Sequence, residues 1–115
     1  MKKLRTPRPG EVWYATLPKE ENPRDLMPNR PCIIVTEEND EYLVIKVTTT
    51  DPRPYDPYDT PIEYWGQCGL KRKSTARASK LIMLAEDQID NYKGRLAPSD
   101  EQRISKAIED YLNSV

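Results

Sequence analysis

Arg30-Pro31-Cys32-Ile33-Ile34-Val35-Thr36 is the stretch that decides the fold, together with Tyr42-Leu43-Val44-Ile45-Lys46-Val47-Thr48. Both stretches are short, apolar and rich in β-branched residues, which is typical of strands buried on at least one face. The polar cluster Glu37-Glu38-Asn39-Asp40 lies between them and predicts a hairpin with a loop of four residues or slightly more. Pro31 cannot donate a ladder hydrogen bond, so we expect it at the first residue of its strand.

This hairpin predicts a polar site at its open end. Arg30 precedes the first strand and Thr48 ends the second, and these two ends are neighbours in an antiparallel pair. Thr49 and Thr50 continue the run of hydroxyls, and a guanidinium beside hydroxyls suits a phosphate. Alternation places Thr48 on the same face as Lys46, which favours it over Thr49, although a shift of one residue would exchange the two threonines. The alternative for Arg30 is a structural ion pair with a nearby carboxylate.

The composition limits the classes of protein to consider. A chain of 115 residues predicts one domain over 1–115, in which the basic residues 1–9 form a loose arm. The net charge of -1 argues against nucleic-acid binding by bulk charge, so such a site has to be a local positive cleft. The sequence contains neither an apolar run of membrane-spanning length nor a signal-peptide pattern, and we therefore expect a cytoplasmic protein without membrane contact.

Histidine is absent from the sequence, which is the most restrictive fact in the composition. This absence excludes Ser-His and Cys-His nucleophile pairs and removes the commonest general base. It also weakens most metal sites, so we predict no metal and no cofactor. Cys32 and Cys68 lack the CxxC spacing and are expected to be free thiols in a reducing compartment.

Two loops are candidates for contact with a ligand. The connection from Pro18 to Asn29 is longer than a hairpin needs, and we interpret it as a flap over Arg30. The segment 51–61 carries four prolines and predicts a stiff, extended loop. Within it, Tyr55 and Tyr58 either stack on unpaired bases or pack the loop onto the body.

The remaining elements predict a mainly β domain, a small curled antiparallel sheet with one C-terminal helix. The strands are expected at 10–17, 62–65, 75–84 and near 92–96, with a helical turn over 85–91. A capping-box pattern, Ser99 with Gln102, predicts the start of a helix of about fourteen residues. Its apolar stripe has the spacing of one helix face and consists of Ile104, Ala107, Ile108, Tyr111 and Leu112.

The order of these pieces resembles the MazF/PemK family of toxin ribonucleases from bacterial toxin–antitoxin pairs. The resemblance spans nearly the whole chain and rests on an ordered set of short matches: Gly10-Glu11-Val12-Trp13, Arg30-Pro31 with Ile33-Ile34-Val35, Val47-Thr48-Thr49-Thr50, Gly69-Leu70 with Lys73-Ser74, Ser79-Lys80-Leu81, Gly94-Arg95-Leu96 and the closing helix. It implies an SH3-like barrel of the MazF/PemK/CcdB type that forms a homodimer. It also implies metal-independent cleavage of single-stranded RNA at short motifs, leaving a 2′,3′-cyclic phosphate and a 5′-hydroxyl, and neutralisation by a cognate antitoxin.

The resemblance assigns roles to individual residues. The family's catalytic arginine and threonine correspond to Arg30 and Thr48, and Ser74 and Lys80 correspond to positions that line the RNA groove. We add Lys46, Thr49 and Tyr55 as substrate-binding candidates. The sequence departs from the family in two places. Glu37-Glu38 intervene before Asn39-Asp40, and Lys80 replaces the amide of some members, so the recognised RNA motif is not inherited.

Two other functions fit the same fold class. A CcdB-like toxin that binds DNA gyrase without catalysis needs an apolar C-terminus with Trp-Gly, whereas this chain ends in Asp110-Tyr111-Leu112-Asn113-Ser114-Val115. An SH3-like peptide-binding module needs an aromatic groove, which Trp13, Tyr14 and Tyr64 could supply. Neither alternative explains the arginine and the threonine run at the hairpin's open end.

Overall fold

The computed structural model describes residues 5–114, which form six strands and one α-helix. The strands are β1 (Glu11–Pro18), β2 (Leu26–Glu38), β3 (Glu41–Thr48), β4 (Asp59–Ile62), β5 (Ser74–Ala85) and β6 (Ile89–Arg95). A 3₁₀ turn, Glu86–Gln88, joins β5 to β6, and the helix α1 spans Pro98–Asn113. This element order confirms the predicted fold class, a mainly antiparallel β domain with a C-terminal helix.

All six strands belong to one antiparallel sheet in the order β4-β5-β3-β2-β1-β6. The sheet is not closed, because β4 and β6 are its two edges and do not pair within residues 5–114. The central place of β2 and β3 agrees with their apolar sequences, since a central strand is covered on both faces. The predicted hairpin of β2 and β3 is therefore the middle of the sheet.

Each face of the sheet carries its own apolar core. Along every strand the side chains alternate between the two faces, so that neighbours such as Ile33 and Ile34 enter different clusters. One cluster lies under α1 and contains the buried helix residues Ile104 and Ile108. The other is built around Trp13. The face that carries Trp13 also carries the predicted site. Arg30, Cys32 and Ile34 follow one another at every second position of β2, so their side chains lie on the same face of the sheet.

The hairpin turn is shorter than predicted. Glu37 and Glu38 are strand residues, and the turn consists of Asn39 and Asp40 alone. Both turn residues have positive φ, 54° and 65°, which is the geometry of a tight two-residue hairpin turn. Asn and Asp tolerate this conformation better than most other residues, so they form the turn and the two glutamates remain in the ladder.

The start of β2 also differs from the prediction. The strand begins at Leu26, so Arg30 and Pro31 lie inside it, and the connection after β1 is only seven residues, 19–25. Pairing with β1 holds this early part, since Met27 is opposite Leu17 and Arg30 is opposite Ala15. The ladder with β3 ends at Cys32, directly after the proline that cannot donate to it.

Two of the shorter elements were wrongly placed by the sequence, whereas the predicted long strand is confirmed as β5. The strand expected at 62–65 is β4, which ends at Ile62, and residues 63–69 form turns. β4 lies at the sheet edge and contains Pro61, in keeping with the tolerance of edge strands for proline. The helical turn expected over 85–91 is limited to Glu86–Gln88, because β6 already begins at Ile89.

The helix is confirmed, but its predicted capping box is wrong. Ala97 is the N-cap, Pro98 is the first helical residue, and Ser99 lies inside the helix. Proline suits this first position because its fixed φ is helical and its missing N–H is not needed there. Asp100 is fully buried and accepts hydrogen bonds from the backbone N–H groups of Glu63 and Tyr64, which ties the start of the helix to the turns after β4.

Residues 5–9 of the predicted N-terminal arm contact the body of the domain, and the arm's residues 1–4 lie outside the described residues. The Arg5 guanidinium is 3.8 Å from the ring centre of Tyr92 and donates a hydrogen bond to the buried Glu11. Cys32 and Cys68 are both buried free thiols, as predicted. No helix among residues 5–114 is long and apolar enough to cross a membrane.

Candidate functional site

Two neighbouring depressions hold most of the predicted site residues. The first, named the Arg30 pocket, has a volume of about 260 Å³ and is lined by Met27, Arg30, Pro31, Lys46, Val47, Thr48, Thr49 and Ser74. The second, named the Lys80 pocket, has a volume of about 340 Å³ and is lined by Pro18, Lys19, Glu20, Pro23, Lys46, Ser79, Lys80, Leu81 and Ile82. Because Lys46 lines both, the two pockets are adjacent.

A β-bulge positions Arg30. Opposite the single residue Thr16 of β1, the strand β2 carries two residues, Pro28 and Asn29. Asn29 has a φ of 56°, a left-handed conformation that asparagine adopts more readily than most residues. Arg30 follows immediately and lies opposite Ala15 in the β1–β2 ladder.

Arg30 and Thr48 line the same pocket, just beyond the last paired step of the β2–β3 ladder. Cys32 pairs with Lys46 in the last step of the β2–β3 ladder, and two more residues along each strand lead to Arg30 and Thr48. Lys46 and Thr48 point to the same face, because Val47 between them is buried in the core under the helix. The hairpin thus brings the cation, the lysine and the hydroxyl to one face of the sheet.

The Arg30 side chain is exposed and makes no hydrogen bond or ion pair with any other residue in the 5–114 range. The alternative interpretation, a structural ion pair with a nearby carboxylate, is therefore not realised in this structure. A guanidinium carries five donors in a planar fork and stays protonated. Arg30 has this whole donor set available for an anion in the pocket.

Thr48 is half-buried and held by a local turn. Its Oγ1 accepts a hydrogen bond from the backbone N–H of Thr50 at 3.2 Å, and it lies 3.3 Å from the Thr50 Oγ1. The hydroxyl–hydroxyl distance is longer than the usual 2.5–3.0 Å of an O–H···O bond, so this contact is weak. The backbone bond fixes the oxygen, and the hydroxyl proton is free to rotate toward a better acceptor. Thr49 is exposed on the rim of the same pocket.

Ser74 and Lys80 occupy different environments. Ser74 lines the Arg30 pocket, but it is only 4% exposed and its hydroxyl donates to the Arg72 carbonyl at 2.8 Å. Lys80 belongs to a second bulge, since β5 residues 78–80 lie between the partners of Ile45 and Lys46. This bulge brings Lys80 alongside Lys46 at the rim of the Lys80 pocket.

Tyr55 lies outside both pockets, on the proline-rich loop between β3 and β4. Its ring is 77% exposed, and the Arg53 guanidinium is 5.4 Å from the ring centre. Tyr58 instead packs edge-on against Tyr111 of α1, at 5.3 Å between ring centres. Of the two roles considered for these tyrosines, Tyr58 packs the loop onto the body, whereas the exposed Tyr55 is available to stack on a ligand.

A charged network fastens this loop to the sheet. Arg53 donates three hydrogen bonds to the carboxylate of Asp59, one from its backbone and two from its guanidinium, at 2.8–3.0 Å. Burial alone would raise the pKa of Asp59, but these hydrogen bonds outweigh it and hold the pKa below its usual value. The same contacts raise the pKa of Arg53 further. Asp56 adds an ion pair to Arg53 and accepts a 2.6 Å hydrogen bond from Ser79 on β5.

Two residues of the Lys80 pocket region were missed by the sequence analysis. Glu20, in the loop after β1, lies within 3.8 Å of the cationic groups of Lys46, Arg77 and Lys80. A signal for Arg77 was present in the sequence, because alternation along the predicted strand 75–84 places Thr75 and Arg77 on one face. In the structure these two residues pair with Thr48 and Lys46 of β3. Glu20 carried no signal, since a loop residue has no register.

Among residues 5–114, no group of three or more His, Cys, Asp or Glu side chains is placed to hold a metal ion. The Arg30 pocket itself is lined by cations, hydroxyls and apolar groups. Such a set binds anions, because arginine and lysine donate to phosphate oxygens and carry the opposite charge.

Comparisons with known proteins agree with this geometry. A family profile described as "PemK-like, MazF-like toxin of type II toxin-antitoxin system" matches residues 8–112. No sequence among the curated proteins matches this chain significantly.

Solved structures share the fold over almost the whole chain. An endoribonuclease from a mycobacterial species is 18% identical, with a TM-score of 0.71 and coverage of 97% of this chain and 96% of the other. A mycobacterial endoribonuclease in complex with its cognate antitoxin is 19% identical, with a TM-score of 0.69 and coverage of 94% and 96%. A MazE–MazF complex from Deinococcus radiodurans is 11% identical, with a TM-score of 0.67 and coverage of 94% and 96%. At these identities the similarity shows the fold.

Proposed function

Because the chain belongs to the PemK-like, MazF-like toxin family of type II toxin–antitoxin systems, we propose that it is an endoribonuclease that cleaves single-stranded RNA. The substrate's own 2′-hydroxyl attacks the adjacent phosphate, leaving a 2′,3′-cyclic phosphate and a 5′-hydroxyl. The observation that carries this proposal is an exposed, unpaired Arg30 in one pocket with the hydroxyls of Thr48 and Thr49.

Arg30 suits the binding and stabilisation of the reacting phosphate. In the attack, the 2′-oxygen, the phosphorus and the leaving 5′-oxygen have to lie in line, while negative charge grows on the nonbridging oxygens. A guanidinium fork grips two of these oxygens at once, which both orients the phosphate and offsets the growing charge. The absence of any competing carboxylate partner within residues 5–114 leaves the fork ready for this role.

Thr48 supplies a second donor to the same phosphate. The Thr50 backbone N–H fixes the Thr48 oxygen. The Thr48 hydroxyl can give up its weak contact with the Thr50 hydroxyl and donate to a charged phosphate oxygen instead. Donors placed at the developing charge of a transition state contribute about 3–4 kcal/mol in other enzymes. Thr49 lies next to Thr48 on the rim and is proposed as a substrate contact.

The pocket has no residue tuned for proton transfer. None of its lining residues is Asp, Glu or His, and a guanidinium that stays protonated is a poor base at neutral pH. The reaction therefore depends on alignment and electrostatic stabilisation. We expect modest turnover and a cleavage rate that rises with pH as the 2′-hydroxyl becomes easier to deprotonate.

The remaining predicted residues bind the RNA on either side of the reacting phosphate. Lys46 and Lys80 contribute charge along the adjoining pockets, and Tyr55 offers an exposed ring on which a base can stack. Ser74 lines the Arg30 pocket, but its hydroxyl already donates to the Arg72 carbonyl. We therefore assign it a role in shaping the pocket. The net charge of -1 means that this binding is local to the cleft.

Further properties of the protein belong to the same proposal. The protein acts in the cytoplasm as a homodimer, the chain 1–115 folding as one domain in each subunit. It needs no metal or cofactor for cleavage. A cognate antitoxin neutralises it by covering the cationic pockets, in keeping with the related structures that contain a toxin bound to its antitoxin.

Digestion of a long single-stranded RNA in EDTA, followed by end-group analysis of the fragments, tests the chemistry. We expect cleavage to persist in EDTA, the fragments to end in 2′,3′-cyclic phosphates, and a 2′-deoxy substitution at the cut site to abolish cleavage there. Thr48→Val removes the donor and is expected to lower the rate about a hundredfold or more, whereas Thr48→Ser retains most of it. Cleavage that needs a divalent metal, or that leaves 3′-hydroxyls, would refute the proposed mechanism. A folded protein that leaves RNA intact would favour a gyrase-binding or peptide-binding function.

A further inference from the structure

We propose that Lys46, Arg77 and Lys80 form a second phosphate subsite beside the Arg30 pocket, and that Glu20 occupies this subsite in the free protein until RNA displaces it. The inference rests on the proposed function, because it takes the RNA backbone as the ligand. It adds a binding residue, Arg77, and a loop carboxylate that competes with the substrate.

The geometry of the three cations points to a single small anion. Their nitrogen atoms lie 3.6, 3.7 and 3.8 Å from the carboxylate oxygens of Glu20, for Lys46, Arg77 and Lys80 respectively. The three residues come from two neighbouring strands, with Lys46 paired to Arg77 and Lys80 on the adjoining bulge. One carboxylate therefore faces three positive charges, and the cluster keeps an excess of positive charge.

Arg77 has unused donor capacity. Its side chain is 14% exposed, and its Nε is buried without a hydrogen-bond partner in the described part of the chain. Asp59 lies opposite Arg77 in the β4–β5 ladder, but its two oxygens already accept hydrogen bonds from Arg53. Buried donors in proteins are nearly always paired. The described residues therefore leave this guanidinium incompletely paired, and its Nη1, which faces Glu20 at 3.7 Å, is the donor that an anion replacing Glu20 would meet.

Glu20 holds the site loosely. All three of its ion pairs exceed 3.5 Å, so none is a hydrogen bond, and its side chain is 44% exposed. A carboxylate and a phosphodiester each carry one negative charge shared by two terminal oxygens, so one can replace the other. Lys46 lines both pockets, and the subsite is thus positioned for a phosphate that neighbours the one at Arg30.

The test measures RNA binding without cleavage, using a fluorescent 2′-O-methyl RNA of randomised sequence that lacks the attacking hydroxyl. Glu20→Gln is compared with Glu21→Gln, which removes the same charge one residue away from an exposed side chain without a partner among residues 5–114. We expect Glu20→Gln to bind about fivefold more tightly than wild type, and Glu21→Gln to differ by less than about twofold. The fivefold change corresponds to about 1 kcal/mol, the upper end for an exposed ion pair.

Substitution of the cations separates a local site from a general charge effect. Arg77→Gln and Lys80→Gln are expected to weaken binding and to make its dependence on log salt shallower by about 0.7 for each lost phosphate contact. In the double variant Glu20→Gln with Lys80→Gln, the gain from the glutamate substitution is expected to shrink to less than about twofold. Urea unfolding midpoints verify that each variant is folded.

The outcomes distinguish the subsite from the function on which it rests. Equal effects of Glu20→Gln and Glu21→Gln, in a protein that still cleaves RNA, would overturn the subsite alone. A gain from Glu20→Gln that persists undiminished without Lys80 would also overturn it. A wild-type protein that neither cleaves nor binds RNA would overturn the proposed function and the subsite together.

Discussion

Replacing Asp59 with asparagine removes the charge that fastens the proline-rich loop to the sheet. The Asp59 side chain is 1% exposed and accepts three hydrogen bonds from Arg53, two at Oδ2 and one at Oδ1. Asparagine retains a single oxygen, so whichever way its amide is turned at least one of these bonds is lost and an N–H group faces a guanidinium donor. The substitution also leaves Arg53 without its closest counter-charge.

The expected loss of stability is about 3 kcal/mol. A hydrogen bond to a charged group contributes about 1.5–3 kcal/mol, and breaking a buried ion pair by removing one partner costs about 3–5 kcal/mol. The lower part of the second range applies because Asp56 still pairs with Arg53 at 3.0 Å. This network holds the loop that carries Tyr55 together with the Tyr58–Tyr111 ring contact, so RNA binding is expected to weaken as well.

Urea unfolding at a fixed protein concentration measures this loss. With a slope of about 1.5 kcal/mol per molar urea, the midpoint is expected to fall by about 2 M at an unchanged slope. Asp51→Asn is the matched control, because Asp51 is exposed and without a partner among the described residues, and its midpoint is expected to stay within about 0.3 M. A midpoint for Asp59→Asn as high as that of the control would refute the reasoning.

Three other predictions concern stability and thiol reactivity. Burial would raise the pKa of Glu11, but hydrogen bonds from Arg5, from the Trp13 indole and from a backbone N–H outweigh it and lower the pKa. The stabilisation that Glu11 provides is therefore present at neutral pH and is lost as the pH falls below the ordinary glutamate pKa value of 4.5. Glu11→Gln is expected to make the urea unfolding midpoint depend less on pH in that acidic range, and an unchanged pH profile would argue against this. Gly69 has a φ of +85°, and a Cβ there would meet the Lys93 carbonyl, so Gly69→Ala is expected to cost about 2–3 kcal/mol in urea unfolding. Burial raises the pKa of Cys32 to about 12, so iodoacetamide at pH 8 is expected to label it only after denaturation, as mass spectrometry would show.

The hairpin was predictable because its signal is strong and local. Two apolar β-branched runs around a polar cluster specify the pair, and alternation then fixes which face carries Lys46 and Thr48. The turn length was wrong because the sequence does not show where pairing stops. Glu37 and Glu38 are polar, yet they remain in the ladder because positive φ at Asn39 and Asp40 closes the turn in two residues.

The helix shows a different limit of sequence reasoning. Its apolar stripe identified the buried residues Ile104 and Ile108, because burial on one face leaves a periodic pattern. Its start was misplaced because Ser99 is a good capping residue, and no local pattern shows that Asp100 is instead buried by the backbone of Glu63 and Tyr64. Tertiary contacts thus replace the local cap.

The candidate site was predictable where it follows strand register and not where it depends on loops or bulges. Arg30 and Thr48 line one pocket because each lies two residues beyond Cys32 and Lys46, the last pair of the β2–β3 ladder. Glu20 reaches the cations through a short loop, and Lys80 through a bulge in β5, so neither placement follows from periodicity. Bulges of this kind re-aim side chains, and they are common beside active sites.

Single-turnover cleavage of RNA by Arg30→Ala tests the central claim most directly, with Arg24→Ala as the matched control. Arg24 is exposed in the loop after β1 and lines neither pocket. If the Arg30 guanidinium clamps the reacting phosphate, its removal is expected to slow cleavage about a thousandfold or more, while Arg24→Ala cleaves at close to the wild-type rate. A folded Arg30→Ala protein that cleaves within about threefold of the wild-type rate would contradict the account.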